Sequence, residues 1–205
     1  MRIAIVAPLV TAIREPQLGG SQAIVADLAT GLHARGHEVH VYAASGSEIP
    51  GVTIVDSGVD ASSLAGLLYR HGRSPAADAR AADHAFATVY ASIRRGSYDV
   101  VHNHAFDPPA IRLASSLLAP VVHTLHLPPD PVMASALAES RGSENPPIIA
   151  TVSASAAIMP NGSSHFAGQR TALASAIRCH NSDRISPPWM DTPASPLCEK
   201  TWASA

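Results

Sequence analysis

Short runs of apolar residues alternate along this chain with longer segments in which apolar residues recur at every third or fourth position. The short, mostly β-branched runs predict strands at 2–7, 37–43, 52–55, 98–102, 120–126 and 147–152. The longer periodic segments predict helices at 21–35, 61–70, 76–95, 108–118 and 132–141. Strands that alternate with helices in this way predict an α/β fold with a doubly wound, mostly parallel sheet.

Two adjacent glycines, Gly19 and Gly20, separate the first predicted strand from the first predicted helix. The N-terminus of such a helix offers unpaired N–H groups and a positive dipole end where a phosphate can bind, and glycine lets a ligand approach closely. The loop over 8–20 is also longer than most connections between a strand and a helix. Long loops at the carboxyl ends of parallel strands are where ligands bind in open α/β sheets. The alternative is that the glycines only turn the chain. We expect Ser21 to be the N-cap of the helix.

The same stretch argues against a nicotinamide-dependent enzyme. No G-x-G-x-x-G fingerprint follows the first predicted strand, where the sequence continues as Ala7-Pro8-Leu9.

Four histidines, which we call the histidine cluster, come at or near the ends of two predicted strands: His102, His104, His123 and His126. In a parallel sheet these strand ends meet at the edge that also carries Gly19 and Gly20, which we call the glycine loop. Because residues alternate along an extended strand, His102 and His104 are expected to share a face.

The histidine cluster has three interpretations. The first is structural, with His102 and His123 packed inside apolar runs and hydrogen-bonded to backbone. The second is a metal site, since H-x-H pairs bind zinc and an aspartate follows each strand as a further ligand. The third is a sugar or phosphate site, in which His104 and His126 donate hydrogen bonds or stabilise charge.

The composition narrows the classes of function. A chain of 205 residues with net charge −2 and 4% aromatic residues has neither the basic stripe nor the stacking surfaces that nucleic-acid binding requires. Its cysteines, Cys179 and Cys198, form neither a disulfide framework nor a zinc motif. Since no apolar run reaches the roughly 18 residues of a membrane span and the N-terminus does not resemble a signal peptide, we expect a soluble cytoplasmic protein.

Four motifs then occur in an order and at a spacing that resemble those of a known family. They are GGSQ at 19–22, YDVVHNH at 98–104, PVVHTLH at 120–126 and TVS at 151–153. Together they resemble the N-terminal domain of a family 4-type glycosyltransferase of GT-B architecture, over residues 1–155.

The resemblance implies two Rossmann-like domains facing a cleft, of which the N-terminal one holds the acceptor and the C-terminal one the nucleotide sugar. It implies transfer with retention at the anomeric carbon, with the nucleotide sugar as co-substrate and no further cofactor. By position, Gly19 and Gly20 would bind the donor phosphate. His126 would be the catalytic residue that faces the donor sugar, and His104 would bind substrate on the acceptor side of the cleft.

The sequence departs from the family's second domain. The family's E-x7-E motif is missing, because no two glutamates of this chain lie eight positions apart. We therefore expect residues 1–158 to form the acceptor-side domain and residues 159–205 an irregular tail, disordered or encoded in another reading frame. Without the C-terminal donor domain, the isolated chain is expected to be inactive.

Two other functions stay open from the sequence. A metal-dependent hydrolase would use the histidine cluster as its ligand set. A non-catalytic binding module would work with a separately encoded donor domain. The donor nucleotide, the acceptor and the oligomeric state are not specified by any motif.

Overall fold

The described strands pair in parallel within one sheet. The computed structural model describes residues 1–61, 76–142 and 146–151. Its strands are β1 Arg2–Val6, β2 Glu38–Ala43, β3 Thr53–Asp56, β4 Val100–Asn103, β5 Val121–Leu125 and β6 Ile148–Thr151. Their spatial order is β3-β2-β1-β4-β5-β6, and each neighbouring pair is parallel. The predicted α/β class and the Rossmann-like, doubly wound sheet are therefore confirmed.

Helices connect these strands: α1 Gly20–His33, α2 Ala76–Arg95, α3 Pro108–Ala114 and α4 Pro131–Arg141. α3 is shorter than the predicted 108–118, since the chain turns after Ala114. Among the described helices, none has the length and apolar content that crossing a membrane requires. Apart from Ala61, the helix predicted over 61–70 lies outside the described residues, as does the tail predicted over 159–205.

The central strand β1 is buried on both faces, which explains its unbroken run of apolar residues. On one face Ile3 and Ile5 belong to a hydrophobic cluster with Val25 of α1. On the other face Val6 belongs to a cluster with Phe86 of α2. The sheet is thus the middle layer of the fold, and its strand ends are held in place by helices on both sides.

The start of α1 differs from the prediction. Gly19 is the N-cap, and no side chain caps the helix, so the assignment of this position to Ser21 was wrong. Because the helix already begins at Gly20, Ser21 lies within its first turn, and the hydroxyl of Ser21 donates to Oε1 of Gln22 at 2.9 Å. The backbone amides at this end are therefore left without a side-chain cap.

Adjacent leucines after α3 provide a matched test of the packing. Leu117 is 3% exposed and belongs to the cluster that contains Phe86, whereas Leu118 is 100% exposed. We expect Leu117→Ala to lower the free energy of unfolding by about 2–5 kcal/mol, because it removes buried methyl groups and leaves a cavity. Leu118→Ala should change it by less than about 0.5 kcal/mol. Urea denaturation measures both values, and equal losses would contradict this packing.

Candidate functional site

The sheet brings the candidate residues to one edge. β1, β4 and β5 run in the same direction, so their carboxyl ends share an edge, and the strand order reverses between β1 and β4. Gly19 and Gly20 stand after β1 at the start of α1, while His104 directly follows β4 and His126 directly follows β5. Open α/β sheets bind ligands in the crevice at such a reversal.

The glycine pair leaves the first turn of α1 open. The first backbone hydrogen bond of this helix joins the N–H of Ala23 to the carbonyl of Gly19 at 3.2 Å, so the amides of residues 20–22 have no backbone partner in the described chain. A Cβ at Gly20 would meet nothing within 4 Å, whereas one at Gly19 would lie 2.6 Å from Oε1 of Gln22. A side chain at Gly19 would thus displace the end of the Gln22 side chain, while Gly20 borders free space in which an anion could bind.

His104 and His126 form a hydrogen-bonded pair. Nδ1 of His104 lies 3.0 Å from Nε2 of His126. The side chain of His104 is fully buried, whereas His126 is half-buried and packs near Phe106, with 5.8 Å between the ring centroids. The roles assigned to the two histidines stay predictions, and His126 is the member of the pair with exposed surface.

The other two histidines of the cluster are packed among side chains. Nε2 of His102 lies 2.7 Å from Oγ1 of Thr124, and Nδ1 of His123 lies 3.0 Å from Nδ2 of Asn103. The ring of His102 also lies against that of His104, with 4.1 Å between centroids. The packing predicted for His102 and His123 is confirmed by their burial, but the prediction of backbone partners was wrong. Their partners are side chains on the neighbouring strand: Asn103 stands opposite His123 in the register, and the hydroxyl of Thr124 reaches His102 diagonally.

Sequence reasoning missed these polar partners. Asn103 is fully buried, and besides His123 it bonds the backbone of Ala105 twice, donating from Nδ2 at 3.1 Å and accepting at Oδ1 at 3.2 Å. Thr124 likewise is buried beside His102. The signal that could have found them is a polar residue within each of two apolar runs, but their pairing depends on the register between strands.

Burial keeps the histidine cluster neutral. Desolvation lowers the pKa of His102 to about 3 and the pKa of His123 and of His126 to about 4. It also lowers the pKa of His104, with a smaller contribution from the neighbouring His102 and His126. At neutral pH the cluster can therefore exchange hydrogen bonds with a ligand, but it supplies no positive charge.

The pKa of Asp107 is shifted in the opposite direction to that of the histidines. Burial raises the pKa of its carboxyl to about 6, and Asp107 occupies the N-cap position of α3 without a side-chain hydrogen bond to that helix. The group is a carboxyl whose charged form is disfavoured by its surroundings.

The described residues do not assemble a metal site. Within 1–61, 76–142 and 146–151, no three histidine, cysteine, aspartate or glutamate residues are grouped as ligands for an ion. Asp130, the aspartate after β5, accepts at Oδ1 from the backbone N–H of Met133 at 2.8 Å and caps α4. The metal interpretation of the cluster therefore gains no support from this part of the chain.

A pocket of about 340 Å³ opens at the same edge of the sheet, on the side of β2 and β3. Its lining comes from the loops that follow β1, β2 and β3 and includes Thr11, Arg14, Leu18, Ser45 and Asp60. The long loop over 8–20 indicated a ligand-binding region here, whereas the contributions from the other two loops were not predicted.

The neutral histidines make the fold sensitive to acid. The unfolded chain takes up protons at its histidines near pH 6.5, whereas the folded chain does so only near pH 3–4 at His102, His123 and His126. Below about pH 6.5 the unfolded state therefore binds more protons, and the free energy of unfolding falls as the pH drops. Asp107 opposes this below pH 6, because its carboxyl protonates first in the folded state. Since three histidines outweigh one carboxyl, the net effect of acid is a lower free energy of unfolding.

We expect His123→Leu to flatten this pH dependence. Each neutral buried histidine contributes up to about 1.4 kcal/mol per pH unit, and this variant removes one such contribution. His84→Leu, at an exposed position of α2, is the matched control and should keep the slope of the parent chain. The measurement is urea denaturation at several pH values between about 7 and about 5. If His123→Leu kept the parent slope, the neutral state assigned to His123 would be wrong.

Several solved structures resemble this chain at low identity. A glycosyltransferase from Streptomyces sp. SF2575, solved with thymidine diphosphate, has 19% identity and a TM-score of 0.47, over 80% of this chain and 51% of its own. The glycosyltransferase SnogD from Streptomyces nogalater has 21% identity and a TM-score of 0.47, over 78% of this chain and 46% of its own. Sucrose-phosphate synthase from Thermosynechococcus elongatus has 13% identity and a TM-score of 0.44, over 85% of this chain and 95% of that one.

This chain spans about half the length of the first two of these structures. No curated protein sequence matches it.

The family is established by a match along the sequence. The profile of Glycosyltransferase Family 4 matches residues 18–157, which is more than half of the chain. This range contains α1 with its glycine loop and both strands that carry the histidine cluster. The predicted domain bounds of 1–158 stay a prediction, but the resemblance on which they were based is confirmed. The chain belongs to Glycosyltransferase Family 4 and carries a glycosyltransferase-like domain.

Proposed function

We propose that this chain is the acceptor-side half of a retaining glycosyltransferase, which moves a sugar from a nucleotide-sugar donor to an acceptor. The observation that carries the proposal is the open start of α1, where the amides of residues 20–22 have no backbone partner in the described chain. Free space beside Gly20 lets an anion approach these amides, and the diphosphate of a donor is such an anion.

The glycine pair, His126 and the pocket then have distinct roles. The backbone at Gly19 and Gly20 binds the donor diphosphate, and the helix dipole of α1 adds a positive partial charge there. His126 contacts the donor sugar as a neutral hydrogen-bonding group, in keeping with its lowered pKa and partial exposure. The pocket lined by Thr11, Ser45 and other loop residues offers hydroxyl groups to an acceptor that itself carries hydroxyls.

The chemistry of transfer requires more than this half supplies. Cleavage of a nucleotide sugar builds negative charge on the departing diphosphate, which preorganised donors or cations must stabilise. Because the histidine cluster is neutral, we assign the stabilisation of this negative charge to the N-terminus of α1. We therefore infer that the 205-residue chain binds donor and acceptor groups but needs a donor domain for turnover.

An anion-binding measurement tests the assignment of the glycine loop. Inorganic pyrophosphate should shift the amide resonances of residues 20–22 in the NMR spectrum of the chain, because these N–H groups bind its oxygens. Gly20→Asp should abolish the shifts, since its carboxylate occupies the same end of the helix and repels the anion. Gly20→Ala should retain them, because a Cβ meets no atom there.

Thr30→Asp is the charge-matched control for this experiment. It adds the same charge at an exposed position of α1, in the part of the helix remote from its start, and should leave the shifts unchanged. Pyrophosphate shifts elsewhere in the chain and none at residues 20–22 would contradict the proposed donor site.

A transfer assay tests the need for a donor domain. The 205-residue chain, incubated with UDP-, GDP- and ADP-sugars and a mixed panel of acceptors, should give no detectable product. Loss of substrate positioning alone can be worth roughly 7–11 kcal/mol of the barrier. Turnover that disappears in His126→Ala would overturn the inferred dependence on a donor domain and would at the same time establish sugar transfer.

A further inference from the structure

The hydrogen bond between His104 and His126 joins two neutral rings. Burial lowers the pKa of both side chains, so at neutral pH each ring carries one N–H and one bare nitrogen. Nδ1 of His104 and Nε2 of His126 lie 3.0 Å apart, and one of these two atoms must donate to the other. The direction of this bond decides which nitrogen of His126 is left for a ligand.

The other ring nitrogen of His104, Nε2, decides which of the two histidines donates the hydrogen bond. Nε2 of His104 is buried and has no hydrogen-bond partner in the described chain. If His126 donated, His104 would carry its proton on Nε2 and bury an N–H without an acceptor. If His104 donates from Nδ1, its Nε2 is a bare lone pair. Among buried backbone groups, an N–H without an acceptor is rarer than an oxygen with an unused lone pair, and the same preference applied to the ring favours the second arrangement.

We propose that His104 donates its Nδ1 proton to Nε2 of His126 and thereby fixes His126 in the tautomer that presents an N–H at Nδ1. Nδ1 of His126 has no partner among the hydrogen bonds of residues 1–61, 76–142 and 146–151, and the side chain is partly exposed. His126 therefore offers a ligand a neutral N–H donor. It cannot take a proton from an acceptor hydroxyl through this atom, because Nδ1 already carries one.

The packing around His104 supports its role as a positioning residue. The ring of His102 lies against the ring of His104, and His102 is itself held by Thr124. A fully buried ring between these neighbours has little freedom to rotate, so its Nδ1 stays aimed at His126.

The class of ligand atom follows from this tautomer and rests on the proposed function. A neutral N–H suits an oxygen that accepts hydrogen bonds, namely a hydroxyl of the donor sugar or an oxygen of its phosphate. His104 then affects substrate through His126, which differs from the direct acceptor contact predicted from the sequence.

Long-range proton–nitrogen NMR of the ¹⁵N-labelled chain at neutral pH reads the tautomer directly, since protonated and bare ring nitrogens have well-separated shifts. We expect His126 with a protonated Nδ1 and a bare Nε2, and His104 with a protonated Nδ1. His126→Asn and His104→Asn assign the signals, and His84→Asn, at an exposed site, serves as the control for an unrelated histidine. A proton on Nε2 of His126 in the parent chain would overturn the proposal.

Substitutions at His104 then test the positioning role. His104→Asn keeps an N–H donor near the position of Nδ1 and should preserve the tautomer of His126. His104→Leu removes the donor, and His126 should then show a mixture with substantial protonation at Nε2. An unchanged tautomer in His104→Leu would mean that His104 does not position His126. If that variant does not fold, the spectrum of the parent chain still decides the direction of the bond, because a bare Nδ1 on His104 would overturn the proposal.

The outcome is independent of the anion-binding experiment at residues 20–22. Failure of pyrophosphate to bind there would contradict the proposed function and leave the tautomer as measured. A different tautomer with pyrophosphate bound would contradict the positioning role alone. A direct contact of His104 with an added acceptor sugar, seen as a shift of its Nε2 signal while His126 is unaffected, would likewise overturn the positioning role.

Discussion

The parallel pairing of β1 with both β2 and β4 determines at which edge of the sheet the site residues lie. Because neighbours on both sides run in the same direction, each loop that follows a strand emerges at one edge of the sheet. The glycine loop after β1, the histidines after β4 and β5 and the pocket residues after β2 and β3 thus share that edge. An antiparallel β4 would send His104 to the opposite edge from Gly20, and the site would not exist.

Placing polar side chains in a sheet that is buried on both faces has an energetic cost. His102, His104 and His123 each find one hydrogen-bond partner, but one ring nitrogen of each stays buried without a partner in the described chain. Unsatisfied buried groups cost on the order of 1–3 kcal/mol each. Sites that depart from the ordinary rules of packing are characteristic of function, and here the departures lie beside the predicted substrate edge.

The sequence predicted most of the fold because burial in a parallel sheet leaves a direct trace in the sequence. The unbroken apolar run of β1 and the buried run of β5, interrupted by His123 and Thr124, reflect strands covered on both faces, and the periodic segment of α2 reflects a helix covered on one face. The start of α1 was less predictable, because Ser21 and Gly19 both fit a cap and backbone geometry decides between them. The strand ends also predicted the edge where Gly20 and the histidines lie.

The geometry of the site could not be predicted in the same way. The contact of His104 with His126 depends on which residues stand side by side on neighbouring strands, and a single sequence does not contain that register. The neutral state of His126 follows from burial, which is a property of the folded chain. The hydrogen bond between Asn103 and His123 was missed because it depends both on the register of the strands and on the burial of the two side chains.

The proposed donor site spans the glycine loop and His126 at this edge of the sheet. The decisive measurement of this site is a crystal structure of the chain joined to a donor domain of the same family. The crystals would be soaked with a nucleoside diphosphate sugar. We expect diphosphate oxygens within hydrogen-bonding distance of the amides of residues 20–22 and a sugar oxygen within hydrogen-bonding distance of Nδ1 of His126. A donor bound elsewhere, with both the glycine loop and His126 free of contact, would rule out this donor site.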